Sequence, residues 1–239
     1  MLEQIDLNEV FNLDGDDPVY EIAAETFMLK CGNMPNLTTI KFNYCTNVGD
    51  CAFMCAFEGC QNLRTVEFER LMYVGMSGFE SCNMGGCDLT FPNLRSIGTH
   101  AFALANIKSF TAPHLEYVER EAFHGSSLIA FSSGGAREVR DHAFENCHKL
   151  QNVHIPGVED LTSADFAFSG CENLKELRLP SMDNVDCFAY GIFQGSGLQH
   201  LYLPRIYVDT YAREWAEFVG LPSGCTIHFS DGDIVYTPE

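Results

Sequence analysis

Residues Ala143 to Pro156 read Ala-Phe-Glu-Asn-Cys-His-Lys-Leu-Gln-Asn-Val-His-Ile-Pro, and the string returns at Ala167 to Pro180 as Ala-Phe-Ser-Gly-Cys-Glu-Asn-Leu-Lys-Glu-Leu-Arg-Leu-Pro. A repeat constrains a chain more tightly than composition does, because every unit must then pack on its neighbours in the same way. The phenylalanine of the unit can be followed through Phe27, Phe57, Phe79, Phe102, Phe123, Phe144, Phe168 and Phe193. Most steps are about 21 to 25 residues, the length of one strand with its return.

Each phenylalanine is followed by a small residue, a Leu or Ile, and two apolar residues separated by one position. These pairs are Ile40/Phe42, Val66/Phe68, Leu89/Phe91, Phe110/Ala112, Phe131/Ser133, Val153/Ile155, Leu177/Leu179 and Leu201/Leu203. Alternation with a period of two predicts a strand with one buried face. Pro92, Pro113, Pro156, Pro180 and Pro204 close five of the pairs, where no ladder donor is needed. A third apolar column follows in the turn: Val48, Val74, Ile97, Val118, Val139, Leu161 and Val185. The few apolar side chains of one unit cannot offset the entropy of ordering its backbone. Stacking supplies the missing burial, and the predicted fold is an α/β or mainly β solenoid.

The pattern resembles the BspA-like leucine-rich repeats, written Ala-Phe-x-x-Cys-x-x-Leu-x-x-Val-x-Ile-Pro, over roughly Ile22 to Ile206. The resemblance implies a right-handed leucine-rich-repeat solenoid with a parallel sheet face. It also implies a gut-bacterial or phage type, whose members serve as adhesins, receptor-binding parts and surface proteins. A fold of this kind does not by itself fix an activity.

The formal net charge of −19 argues against a nucleic-acid partner, since phosphates are neutralised by clustered Lys and Arg. The start, Met1-Leu2-Glu3-Gln4-Ile5-Asp6-Leu7, has no basic segment leading into an apolar run, and no stretch is long enough to span a bilayer. A virion-associated, cytoplasmic or otherwise exported location is compatible with this reading. Among the 11 cysteines, Cys60, Cys82, Cys147 and Cys171 lie three residues after a repeat phenylalanine, a slot taken elsewhere by Ser126, Ser196 and Ala105. That exchange marks a small buried position in which a thiol acts as a small hydrophobe. No metal site or cofactor is expected, and paired Cys-x-x-Cys elements are missing.

Three segments are expected: an N-terminal cap at 1–21, about eight repeats over 22–206, and a C-terminal cap at 207–239. In the last, Asp209 to Gly220 reads as a short amphipathic helix with Tyr211, Trp215 and Phe218 on one face. Asp231-Gly232 then joins two strands in a hairpin. The irregular stretches Asn47 to Met54 and Cys82 to Cys87 read as loops added to the repeat.

The strand residues that alternate with the buried pairs should pave one face. One column is Lys41, Glu67, Thr90, Thr111, Ser132, His154, Arg178 and Tyr202, and its neighbour ends in Glu176 and His200. These are the candidate ligand-binding residues, for a protein or glycan receptor or for neighbouring subunits of an assembly such as a virion or tail. His154 and Arg178 are expected side by side. His100, His114, His124, His142, His148 and His228 are expected mostly on turns. No Gly-x-Ser-x-Gly, His-Glu-x-x-His or phosphate loop occurs, so no catalytic residues are assigned and an enzyme is not expected.

Overall fold

The structure is a computed structural model and describes residues 4–6, 20–29, 32–182, 185–204, 212–229 and 232–237. Strands are numbered in chain order. One side of the stack carries β1 (Gln4–Asp6), β3 (Thr39–Lys41) and β5 (Thr65–Glu67), then β7 (Cys87–Thr90), β9 (Ile107–Thr111), β11 (Ala130–Ser132) and β13 (Asn152–His154). It ends in β14 (Glu176–Arg178), β15 (His200–Tyr202), β16 (Thr226–Phe229) and β17 (Gly232–Val235). A second side carries the short strands β2 (Tyr20–Ile22), β4 (Cys45–Val48), β6 (Tyr73–Val74), β8 (Ser96–Ile97), β10 (Tyr117–Val118) and β12 (Glu138–Val139). Except for the β16–β17 hairpin, all pairings are parallel between successive coils, as a solenoid requires.

The first sheet is not continuous. Ladders join β1-β3-β5, β7-β9-β11-β13 and β14-β15-β16-β17, with none among the described residues between β5 and β7 or between β13 and β14. Both interruptions fall where the spacing of the strands changes. The strand residues are 21 to 22 apart within the central ladder (Leu89, Phe110, Phe131, Val153) and 23 to 26 apart on either side. At both places the inward residue, Val66 or Val153, is only partly buried, whereas Phe110 and Leu177 are fully enclosed.

A file of parallel rings runs through the core: Phe27, Phe53, Phe79, Phe102, Phe123, Phe144, Phe168 and Phe193, with successive centroids 5.0, 4.9, 5.0, 5.5, 5.4, 5.2 and 6.2 Å apart. The second member corrects the sequence reading. Phe53, not Phe57, occupies the repeat position, and Asn47 to Met54 is no added loop but holds the end of β4 and the repeat ring itself. With Phe53 in register the first two steps become equal, and Ala56 rather than Cys60 fills the small slot. Phe57 packs beside Phe53 at 6.0 Å instead. The third apolar column is also amended at its end, because Leu161 bridges to Phe188, with Val185 lying in a 3-10 turn.

The third side of each coil is a turn with an unusual backbone. The residues two before and two after the repeat phenylalanine have left-handed φ, as in Glu25 and Leu29, Cys51 and Cys55, His100 and Leu104, or His142 and Asn146. This alternation aims every second N–H along the stack. Glu121, Phe123 and Gly125 donate to the carbonyls of Asp141, Ala143 and Glu145 at 2.8 to 2.9 Å, and the same triplet recurs from coil to coil. The intervening N–H groups are satisfied within the turn, as in Ala122 N to Glu119 O and His124 N to Glu121 O.

Helix α1 (Ala212–Phe218) closes this side. Gly191 N–H donates to Phe218 O and Phe193 N–H to Val219 O, so the last coil's donors meet carbonyls that a helix end leaves without partners. Trp215 is buried against Phe188 at 5.2 Å, but Phe218 is exposed, so the predicted apolar face of this helix does not all turn inward. Tyr211 and most of the N-terminal cap lie outside the described residues. The C-terminal hairpin also does more than cap: β16 pairs in parallel with β15 and forms one further rung of the first sheet.

None of the ten described cysteines is joined to another in a disulfide. Cys147 Sγ donates to Phe123 O at 3.0 Å and Cys171 Sγ to Phe144 O at 3.1 Å, which ties the small slot of one coil to the ring position of the coil before. Burial pushes the Cys147 thiol up to about 12 and that of Cys171 well above its ordinary value. In a brief iodoacetamide pulse near neutral pH, the half-exposed Cys55 should be labelled and the fully enclosed Cys147 and Cys171 spared. Peptide mass spectrometry reads this, and labelling of Cys147 and Cys171 should appear only after denaturation.

Candidate functional site: the sheet face

The pleat of the first sheet turns alternate side chains to solvent, and the registers stack them in columns. Lys41 stands opposite Glu67, with Nζ 3.0 Å from Oε2. Thr90, Thr111, Ser132 and His154 follow one another along the central ladder. Beside them, Asp88 accepts a hydrogen bond from Ser109 Oγ at 2.6 Å and one from Lys108 Nζ at 3.1 Å. The Ser109 bond, and then the Lys108 ammonium, hold the Asp88 carboxyl below the usual carboxylate range. Every lysine, arginine and acid named in these columns thus has an oppositely charged or hydroxyl neighbour, and the centre of the face is hydroxyl and amide.

At the interruption between β5 and β7 the face opens into a shallow cleft of about 250 Å³, lined among others by Arg64, Glu67, Asp88 and Thr90. The interruption between β13 and β14 falls between His154 and Arg178, which the sequence reading placed side by side. His154 has no ladder to Arg178. The Arg178 guanidinium turns the other way, donating from Nε to Glu176 Oε1 at 2.6 Å and lying 3.6 Å from the Tyr202 ring centroid.

Tyr202 in turn stacks on His228 at 4.2 Å and 13°. His200 Nδ1 and His228 Nε2 are 3.0 Å apart, and His228 Nδ1 is 3.0 Å from Asp233 Oδ1. The carboxylate favours the tautomer with hydrogen on His228 Nδ1, which leaves Nε2 to accept from His200. Glu176, Arg178, Tyr202, His200, His228 and Asp233 therefore form one connected group. His228 and Asp233 were missed because β16 carries no proline or repeat phenylalanine to announce it as a rung. Its Thr-Ile-His-Phe alternation was the available signal.

Three of the other histidines, His100, His124 and His142, belong to the turn side and pair with acids of the next coil or their own. His100 Nε2 lies 2.6 Å from Glu121, and His142 and His124 lie 2.8 and 3.3 Å from Glu145. No group of three His, Cys, Asp or Glu among the described residues is arranged to hold a metal ion. No described helix is long and apolar enough to cross a membrane.

Coils of near-constant length, a phenylalanine file, a thiol or small residue three places on, and a parallel sheet agree with the comparison of the chain with known families. The BspA type leucine-rich-repeat region matches in six copies over residues 20–134 and 95–212. The chain belongs to this family. No curated protein matches it. Among solved structures it is similar to a leucine-rich repeat protein from Bacteroides ovatus, with 15% identity, a TM-score of 0.47 and coverage of 87% of this chain and 65% of the other. It is also similar to the pneumococcal vaccine antigen PcpA, at 18% identity, TM-score 0.41 and coverage of 77% and 53%. A third is a leucine-rich cell surface protein from Faecalibacterium prausnitzii, at 17% identity, TM-score 0.36 and coverage of 87% and 62%. The BspA-type chain described here thus spans about two thirds or less of each of these structures.

Proposed function

We propose that this BspA-type repeat protein is a non-enzymatic recognition and adhesion module, presented at the surface of a bacterium or a virion, which binds a protein or glycan through its sheet face. Leucine-rich-repeat solenoids of this kind generally mediate protein interactions and are generally not enzymes. The observation that carries the reading is the neutralised centre of the face. In a chain of net charge −19, the run Thr90, Thr111 and Ser132, with Asn152 in the neighbouring column, bears no charge, and the lysine, arginine and carboxylate side chains flanking it are paired. Hydroxyls and amides on a rigid, regularly spaced backbone suit directional hydrogen bonding to an uncharged polar partner, with little side-chain entropy to lose. The Arg178–Tyr202–His228 stack supplies a stiff edge to that surface. The tyrosine ring is covered on both sides by its neighbours.

The test is binding of the purified chain to a glycan array and to surface extracts of candidate host and bacterial cells. The Thr111→Arg/Ser132→Glu double variant, which places bulky charges on the centre of the face, should reduce the signal about tenfold or more without lowering the melting temperature. Binding that survives those changes would mean that the sheet face is not the recognition surface.

A further inference from the structure

We infer that the strip formed by Phe166, Tyr190 and Phe218 on the turn side is a second docking surface, and that its occupant is a basic segment of a partner protein. The three rings run across the last two coils and α1 in edge-to-face contacts at 5.5 and 5.8 Å, and Phe166 continues onto the His142 ring at 5.4 Å. Tyr190 is 52% exposed and Phe218 46%. None of the three belongs to the core, whose positions in these coils are already filled by Phe168, Ile192, Phe193 and Val219.

Phe166 occupies its position against the local preference. Its φ of 57° lies in the left-handed region, which a bulky residue enters rarely. The corresponding position of the next coil is Gly191, where a Cβ would stand 2.6 Å from the Phe166 ring. The left-handed φ is common to this position in every coil, but the bulky ring and the bare backbone beneath it at Gly191 are particular to this one.

The charge around the strip selects the occupant. Asp165 Oδ1 accepts the Tyr190 N–H at 3.0 Å, and Asp141 Oδ1 accepts the Asp165 N–H at 3.2 Å, which fixes two carboxylates beside the rings. Glu214 and Glu217 are exposed on α1. Arg and Lys side chains can lay their stems over aromatic rings while their charged ends meet carboxylates. A second copy of a chain with net charge −19 would instead bring acid against acid.

The experiment uses the full chain and three fluorescein-labelled synthetic peptides of equal length, alternating Arg/Leu, Ser/Leu and Glu/Leu, read by fluorescence anisotropy. The Arg/Leu peptide should bind, and its affinity should fall by about tenfold between about 50 and about 300 mM NaCl. The Tyr190→Ser/Phe218→Ser double variant should weaken it by about tenfold with an unchanged melting temperature. Tyr73→Ser/Tyr117→Ser, which removes exposed tyrosines from the β6/β10 side, should leave it intact. Equal binding of the Ser/Leu peptide, indifference to the Tyr190/Phe218 change, or equal loss in the Tyr73/Tyr117 variant would each overturn the assignment. So would concentration-dependent dimers in sedimentation that Tyr190→Ser abolishes, which would make a second copy the occupant. The sheet-face substitutions Thr111→Arg/Ser132→Glu should not affect peptide binding, so the two surfaces can fail independently.

Discussion

Replacing Phe123 by alanine is expected to lower the unfolding free energy by about 4 kcal/mol and the thermal midpoint by about 10 °C. Its ring is fully enclosed and touches four others: Phe102 at 5.5 Å and Phe144 at 5.4 Å in the file, Phe110 at 4.9 Å and Phe131 at 5.3 Å edge-on. Truncation removes the transfer energy of the ring, leaves a cavity that two rigid ladders prevent from collapsing, and severs the contacts above and below. Because a solenoid is held by nearest-neighbour interfaces, the lesion also loosens the coupling of the two halves, and the transition should broaden. Phe193 supplies the comparison. Its ring meets only Phe168 within the file, at 6.2 Å, so Phe193→Ala should cost visibly less. Equal costs in urea unfolding would show that the file does not carry the stability assigned to it.

The second large effect is expected at a residue with no side chain. Gly85 lies just before β7 with φ of +62°, and a Cβ there would overlap the backbone carbonyl of Leu63 in the coil before. Gly85→Ala combines left-handed strain of about 1 to 2 kcal/mol with a clash against a buried, unyielding backbone, for a total loss of about 3 kcal/mol. Gly134→Ala is the control of identical chemistry. Gly134 is exposed, has nothing within 4 Å of the new methyl and is not left-handed, so the change should be neutral or stabilising by up to about 1 kcal/mol. Chemical denaturation of the two variants should therefore move the midpoint in different directions, and a Gly85→Ala protein as stable as the parent would refute the close approach of these coils.

The solenoid and its columns were legible because burial imposes one spacing on every coil, and stacking repeats that spacing many times. Phe53 shows where legibility stopped. The string Ala56-Phe57-Glu58-Gly59-Cys60 matches the repeat better than the residues around Phe53 do, and both rings are buried, so local resemblance outweighed the evenness of the steps. The left-handed positions were invisible for another reason. Glu25, Cys51, His100 and Phe166 occupy them as readily as Gly191, because the hydrogen-bonded ladder dictates the backbone there and side-chain preference does not. On the sheet face, alternation placed each outward residue correctly in its column. It could not say which neighbours touch: Arg178 lies over Tyr202, a pairing that alternation alone does not select. Tyr190 and Phe218, far apart in sequence, came together only when α1 was seen to continue the turn side.

The one-way donation of the turn N–H groups gives the molecule an electrical direction. Peptide dipoles on that side add from coil to coil as they do along a helix, with the positive end at the C-terminal coil and the negative end at the first. Helix α1 presents its own negative pole to the positive end, so the closing segment is held by field as well as by packing.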